Sequence, residues 1–499
     1  MSILLSTLNA RYTHASLGLR YLLANLGEFQ GQARILEFVI GLKTSEIVER
    51  LLERRPRIIG FGVYIWNVAE TTRVVAMLKR LAPDITIVLG GPEVSYETAE
   101  QAIVAQADYV ITGWGETSLP LLCRQILAGD PAGRPVAKTQ AGIQAPLDSL
   151  ALPYAFYSER DVARRTLYVE ASRGCPFKCE FCLSALDKTA WPFDLEVFLG
   201  EMQALHARGA RRFKFVDRTF NLNVQASLRI LQFFLDKLLA NPDDPVYAHF
   251  ELVPDHLPEP LKDLIIQFPP GALQFEIGVQ SWNPEVQALV SRRQDNDKTA
   301  ENIRWLRENT SVHLHVDLIA GLPGEDLASF ARGFERLYAL GPHEIQLGIL
   351  KRLRGTPIIR HTASFGMLFD PNPPYSVLTT DRIDFRSMQR VKRFARYWDL
   401  VANSGRFANT LPVLLGDAPF DNFMACSDWL YTQSDATSGI ALERLARLMA
   451  QWLQTRGSSR ETADALLASD YAGQAPNRRA TGEIRPALPP RQARHLAQS

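Results

Sequence analysis

The chain opens with short apolar runs separated by longer stretches in which apolar positions recur every three or four residues. Runs at 3–6, 33–38, 58–64, 85–89 and 109–111 have the length and side-chain type of buried strands. Between two of them, residues 68–81 put Val74, Val75, Leu78 and Leu81 on one helical face. Strand and helix in alternation predict a parallel sheet covered on both sides, which binds ligands beyond the carboxyl ends of its strands. A second alternation predicts strands at 167–170, 213–216, 247–252, 273–279, 313–319 and 344–349, with helices at 195–207, 226–239 and 298–307. Six such repeats imply an incomplete barrel with its chemistry on the carboxyl rim. Beyond about residue 355 the alternation stops. There Thr380-Asp381 reads as a helix start, with Met388, Val391, Phe394, Trp398 and Val401 on one face, and residues 440–453 repeat the pattern.

These shifts divide the chain into a doubly wound domain at 1–135, a Pro/Gly/Ala-rich linker at 136–160 and a barrel at 161–355. A helical region at 356–472 follows, then a Pro-, Ala- and Arg-rich tail at 473–499 expected to be disordered. At 499 residues and 46% hydrophobic content there is material for several cores. A net charge of +1 gives no global attraction to nucleic acid or to a membrane surface. The apolar start, Met1 to Ser6, is too short for a signal peptide, and no apolar run reaches the length of a membrane span. A cytoplasmic protein is expected, without a membrane partner and with nucleic acid disfavoured.

Cysteine usage sharpens this. Three of five cysteines fall in Arg173-Gly174-Cys175-Pro176-Phe177-Lys178-Cys179-Glu180-Phe181-Cys182. Gly174 and Pro176 exclude a helix, so the thiols lie on a loop that can wrap one metal centre. Structural zinc needs a closed set of four ligands, and no fourth Cys or His stands at finger spacing; His206 is the next downstream. Soft thiolates suit an iron–sulfur cluster, with Cys175, Cys179 and Cys182 as its ligands and one iron left open. Cys123 and Cys426 read as buried small hydrophobes. The first sheet's strands end in Tyr64-Ile65-Trp66-Asn67, Gly90-Gly91-Pro92-Glu93 and Gly113-Trp114-Gly115-Glu116. These are either plain turn chemistry or a floor that a bulky planar ligand can approach closely. No G-x-G-x-x-G opens the first helix, which disfavours a dinucleotide.

The cysteine loop, with Phe181 before the third Cys, resembles the signature of the radical S-adenosylmethionine (SAM) enzymes. Asn67, Gly90-Gly91-Pro92 and Asp108-Tyr109-Val110 followed by Gly113-Trp114-Gly115-Glu116 resemble the cobalamin-binding domain that precedes many such barrels. Gly278-Val279-Gln280-Ser281 and Gly321-Leu322-Pro323-Gly324-Glu325 resemble motifs of the cobalamin-linked group. The implied fold is α/β: a flavodoxin-like doubly wound cobalamin-binding domain, a partial (β/α)6 radical SAM barrel and a helical extension of unknown function. The implied cofactors are a 4Fe-4S cluster, SAM and cobalamin. By the same resemblance Phe181, Asp217, Glu251, Gln280, Ser281 and Gly321 contact SAM. Tyr64, Asn67, Gly90, Gly91, Gly113, Gly115 and Glu116 contact cobalamin. Asp217 lacks the Gly-Gly pair that precedes its counterpart in many relatives. The Asp-x-His-x-x-Gly motif of other cobalamin proteins is also absent, and the neighbours of His14 do not match it, so no cobalt-ligating His is expected. The implied reaction is reductive cleavage of SAM to a 5′-deoxyadenosyl radical, fed by a donor such as flavodoxin or ferredoxin, for methylation of an unactivated carbon. Alternatives are cobalamin-assisted rearrangement or cyclisation without methyl transfer, and a non-catalytic sensor. A tRNA methylthiotransferase would carry further cysteines in the first domain, and the first 122 residues have none.

Overall fold

In the computed structural model, which describes residues 2–128, 137–187, 190–472 and 490–496, the first five apolar runs become β1 (Ile3–Asn9), β2 (Ala33–Val39), β3 (Ile58–Gly62), β4 (Thr86–Gly90) and β5 (Tyr109–Thr112). With β6 (Thr139–Ala141) they form one parallel sheet in the order β2-β1-β3-β4-β5-β6. The helices are α1 (Leu17–Ala24), α2 (Thr44–Leu52), α3 (Val68–Leu81), α4 (Ala102–Gln106) and α5 (Ser118–Ala128).

Successive strand residues point to opposite faces, and both faces here are apolar. Leu4, Leu8, Ile59 and Phe61 join Val48, Val74, Leu78 and Ile103 from α2, α3 and α4 in one core. Ile3, Leu5 and Ile58 join Leu19, Leu23, Leu119 and Cys123 from α1 and α5 in the other. The sheet is thus doubly wound. β6 lies inside the stretch read as a linker, and it escaped sequence reading because it is three residues long and mostly exposed. Residue 136 of that stretch, and residues 129–135 before it, lie outside the described part of the chain.

The chain divides into two compact units. Unit 1 comprises Met1–Asp217, Arg352–Pro357 and Asp370–Tyr375. Besides the first sheet it holds β7 (Leu167–Val169), an antiparallel pair β8 (Ser172–Gly174) and β9 (Ala190–Pro192), and β10 (Arg212–Phe215), which runs parallel to β7. Unit 2 comprises Arg218–Lys351, Ile358–Phe369 and Ser376–Ser499. Its strands β11 (Tyr247–Leu252), β12 (Leu273–Gln280), β13 (His313–Ala320) and β14 (Glu344–Ile349) are parallel neighbours in chain order. On β11, Ala248, Phe250 and Leu252 are buried among apolar groups, whereas Tyr247, His249 and Glu251 share the opposite, polar face.

The helical region packs into unit 2 itself. Phe394 and Trp398 of helix Phe385–Val401 meet Phe334 of helix Leu327–Ala339 at ring distances of 5.2 and 4.8 Å, and Phe420 and Phe423 close the group. The helix starts at Phe385, later than Thr380-Asp381: Asp384 is its N-cap and accepts from the Ser387 N–H, while Thr380 Oγ1 accepts from Ile383 N–H in the preceding turn. Of the tail, residues 473–489 and 497–499 lie outside the described part. Where disorder was expected, Pro490–Leu496 is a helix. Its Arg491 pairs with Glu344 and Asp399, and buried Gln492 donates to Tyr247 Oη and Gln274 Oε1. Composition favoured disorder because it does not register such distant partners. Among the described residues no helix is long and apolar enough to cross a membrane.

Candidate functional site

The carboxyl ends of β3, β4 and β5 open on a cavity of about 330 Å³ in unit 1. Its walls include Tyr64, Gly90, Gly91, Gly113, Gly115 and Glu116, six of the seven residues expected to hold cobalamin. Glycine makes the space. A Cβ at Gly115 would lie 2.8 Å from Leu22, and Gly113, at φ +73°, faces open space. Among the described residues that line it there is no histidine. His14 lies elsewhere, its Nδ1 2.6 Å from Tyr168 Oη. Asn67, the seventh, lines no part of the cavity. Fully buried, it donates through Nδ2 to Thr7 Oγ1 and the Leu8 carbonyl and accepts the Tyr64 N–H at 2.8 Å, fixing the turn from β3 into α3.

The loop after Gly91 is clamped from far along the chain. Arg354 Nε and Tyr375 Oη both donate to Glu93 Oε1, at 2.9 and 2.6 Å, and Arg352 pairs with Glu97 at 2.9 Å.

Arg173 joins this cavity to the cysteine loop. It lines the cavity, stands two residues before Cys175, and binds Glu116 through Nη1 at 2.7 Å and Glu170 through Nη2 at 2.6 Å. Its guanidinium lies 4.6 Å from the Trp114 ring and 4.8 Å from Tyr21. Burial disfavours the charge, but the two carboxylates outweigh it and raise the guanidinium above its usual value. In the sequence Arg173 stands out only as the first residue of the cysteine motif. Its partner Glu116 is 57 residues away, so no local signal announces the pair.

Asp217 secures the other side of β8. It is buried, accepts from Ala171 N–H at 3.0 Å and Ser172 Oγ at 2.5 Å, and is pushed up to about 7 by burial. Both its oxygens hold the strand that leads into the cysteines. Cys175 is buried and Cys179 and Cys182 are half-buried, none in a disulfide; Phe181 is half-buried in the turn between the last two. The Cys182 N–H donates to the Cys179 carbonyl and the Cys175 N–H to that of Asp187, so the loop curls on itself. Among the described residues no three His, Cys, Asp or Glu side chains converge where a single ion could sit. A cluster, however, takes each thiolate on a different iron, so its ligands stand around it rather than meet at a point. The donor set, three thiols on a loop without regular structure, fits such a group in kind.

In unit 2 the expected SAM residues lie at strand ends. Glu251 pairs with Arg218 at 2.6 Å. Gln280 has φ +70° at a bulge in the β12–β13 register, and its amide lies where a Gly278 side chain would stand. Ser281 Oγ donates to Glu325 Oε1 at 2.6 Å, tying the Gly-x-Gln-Ser motif to the last residue of Gly-Leu-Pro-Gly-Glu. Burial pushes Glu325 up to about 7. Gly321, at φ +86°, leaves room for Val377 and Met388. On the same polar face two imidazole–carboxylate pairs went unnoticed in the sequence, His249–Glu276 at 3.1 Å and His315–Asp317 at 3.2 Å. Burial would lower His315, yet Asp317, with Glu344 and Glu276 in support, raises it to about 9.

Residues 4–122 match the family model of the B12 binding domain, 169–337 that of the Radical SAM superfamily, and 363–483 that of a protein of unknown function (DUF4080). The cobalamin-dependent radical SAM methyltransferase TokK of Streptomyces tokunonensis is 24% identical over 61% of this chain and 48% of its own length. The chain spans about half the length of the curated relatives it matches. Among solved structures, the radical S-adenosylmethionine methyltransferase TsrM from Kitasatospora setae, with cobalamin and a [4Fe-4S] cluster bound, superposes with TM-score 0.55 at 20% identity over 72% of this chain and 77% of TsrM. The cobalamin-dependent S-adenosylmethionine radical enzyme OxsB superposes with TM-score 0.61 at 13% identity over 100% of this chain and 83% of OxsB.

Proposed function

We propose, for a chain that belongs to the cobalamin-binding radical SAM proteins and carries a helical extension of unknown function, that it transfers a methyl group to an unactivated carbon of its substrate. The observation that supports this most is Arg173, a single side chain shared by the glycine-floored cavity and the root of the cysteine loop. When bound, the cluster supplies the electron that splits SAM into methionine and a 5′-deoxyadenosyl radical, and cobalamin supplies a methyl carrier.

The chain's own residues do the positioning. Gly90, Gly113 and Gly115 keep side chains out of the cavity, so a flat macrocycle can lie against backbone. Glu116 and Glu170 hold Arg173 at the cavity wall, and Asp217 holds the chain one and two residues further back. Cys175, Cys179 and Cys182 present thiolates to the cluster. In unit 2 the Ser281–Glu325 bond fixes the two rim motifs against each other, and the His315–Asp317 ion pair offers a fixed dipole to a polar group of a substrate. The electron would come from a donor of the flavodoxin or ferredoxin kind.

Anaerobically reconstituted protein tests the reading. Cys175→Ala, Cys179→Ala or Cys182→Ala should remove the broad visible absorption and abolish SAM cleavage, and Cys123→Ser should do neither. Methyl transfer consumes SAM as methyl source and again as radical source, so turnover should give S-adenosylhomocysteine and 5′-deoxyadenosine in comparable amounts. Substrate consumption with 5′-deoxyadenosine alone would overturn methyl transfer and leave rearrangement or cyclisation.

A further inference from the structure

Unit 2 holds a second cavity, of about 270 Å³, at the amino ends of its strands. Arg307, from the last turn of helix Asn296–Asn309, and His343, just before β14, form its polar corner; Trp398, Phe407 and Leu411 contribute its apolar walls. His343 lies beside Leu314, seven residues before Gly321 on β13 and its exit. At about 3.3 Å per residue this is roughly 23 Å from the carboxyl rim.

The polar corner is short of acceptors. The Leu314 N–H donates to His343 Nδ1 at 3.0 Å, which leaves the proton of a neutral imidazole on Nε2. That same Nε2 lies 2.7 Å from Arg307 Nη1, which can only donate. Two donors therefore face each other. Protonating the ring would not relieve this, and burial, with His313, Arg307 and His495 nearby, pushes His343 down to about 2. Arg307 is half-buried, and among the described residues it meets no carboxylate.

The nearby polar groups that could help are engaged elsewhere. Glu344 is bound by His313 at 2.9 Å and Arg491 at 2.6 Å, and the Asn403 amide is closed on the backbone of Ile345. Burial first, then Arg406 and Arg491 against an opposing Glu344, lower Arg494 to about 10, so the cations nearby outweigh the one carboxylate at that residue. An oxygen bearing negative charge, set between Arg307 and His343, would accept from both and turn a repulsive contact into two charge-assisted bonds.

We propose that this cavity binds a small organic oxyanion, a carboxylate or phosphate, whose oxygens accept from Arg307 Nη1 and His343 Nε2 while its flat apolar body lies against Trp398 and Phe407. The site is distinct from the strand ends where the reaction is proposed, and helix Phe385–Val401 spans between them. Trp398 lines the cavity, and Met388, three turns earlier on that helix, packs beside Gly321.

The test titrates the reconstituted full chain with benzoate, phenyl phosphate, inorganic phosphate and benzyl alcohol, read by indole fluorescence and by Tm. Benzoate or phenyl phosphate should bind saturably and raise Tm, and the tighter of the two names the head group. Benzyl alcohol, which lacks the charge, and inorganic phosphate, which lacks the body, should each bind at least about tenfold more weakly, a loss of about 1.4 kcal/mol. R307M should weaken the aromatic anions by a similar factor without lowering the ligand-free Tm, since it removes a half-buried charge that meets no carboxylate among the described residues; H343F should weaken them independently, with a lower Tm because the Leu314 N–H loses its acceptor. Benzyl alcohol binding as tightly as benzoate, R307M and H343F binding like the parent, or no saturable binding of any probe below about 10 mM would each overturn the proposal.

Discussion

A Cβ at Gly91 would stand 2.5 Å from the Val63 carbonyl oxygen, whereas one at Gly90 would meet nothing nearer than the Ile111 carbonyl at 3.7 Å. Gly91 also has φ +105°, a conformation that L side chains rarely adopt. The two glycines on one cavity wall therefore serve different ends: Gly91 is needed by the fold and Gly90 by the space in front of it. G91A should lower Tm, with about 1–3 kcal/mol of strain before the clash is counted. G90V should fold with Tm close to the parent and bind cobalamin at least tenfold more weakly, by calorimetry with the purified full chain. Equal cobalamin affinity in G90V would remove Gly90 from the site. Arg173 is the second residue-scale test. R173M leaves Glu116 and Glu170 close together without their cation, and breaking such a buried pair costs about 3–5 kcal/mol. R173K should recover only part of this, because a point charge cannot reach both carboxylates as the planar fork does.

At the scale of elements, two strand–loop junctions each rest on a buried carboxyl group. Burial raises Asp217, behind β8, and Glu325, after β13, to about 7 each. Unfolded carboxylates titrate near 4, so between about pH 4 and 7 the folded chain retains protons that the unfolded chain has lost. Stability from these groups is full below about pH 4 and falls as pH rises to about 7. Thermal melts at fixed ionic strength should show Tm declining across that window, and D217N and E325Q should each flatten the decline; an unchanged slope in both variants would refute the assignment. The helix Pro490–Leu496 makes a separate element-scale prediction. Ending the chain at residue 489 leaves Gln274, Tyr247 and Glu344 without Gln492 and Arg491, so Tm should fall. Tyr247 still donates to Gln274 Oε1 and Glu344 keeps His313, so the cost should be about 0.5–1.5 kcal/mol for each hydrogen bond lost. A truncated chain as stable as the parent would show that the helix contributes nothing to unit 2.

For the whole molecule, the two proposed ligand sites belong to different units. A ligand that binds only the folded chain stabilises it by about 2.7 kcal/mol at one hundred times its Kd. Cobalamin at that excess should raise the Tm of the parent and of R307M alike, while G90V at the same concentration should gain far less. Loss of the cobalamin response in R307M would mean that the two sites are not energetically separate.

Much of this architecture is written in local periodicity. Strands 247–252 and 344–349 and helices 68–81 and 195–207 fall at the residues that apolar spacing predicts, because each buries one face and the spacing of that face is a property of the segment alone. The cysteine loop and the glycine pairs were legible for a similar reason, since thiols at short spacing and missing side chains are local facts. The three-residue strands β6, β8 and β9 were not, being too short and exposed to carry a period. Nor were Arg173 with Glu116, Arg354 with Glu93 or Gln492 with Tyr247, pairs separated by 57 to 261 residues. The sequence by itself determined which segments are strands and helices, where the three thiols cluster and where the chain lacks side chains. Only the tertiary structure decided that Asn67 and Asp217 spend their side chains on tying neighbouring segments together, that Arg173 lines the cavity while it roots the cysteine loop, and that Arg307 and His343 face each other. Those outcomes depend on distances between segments, which folding sets and no local pattern records.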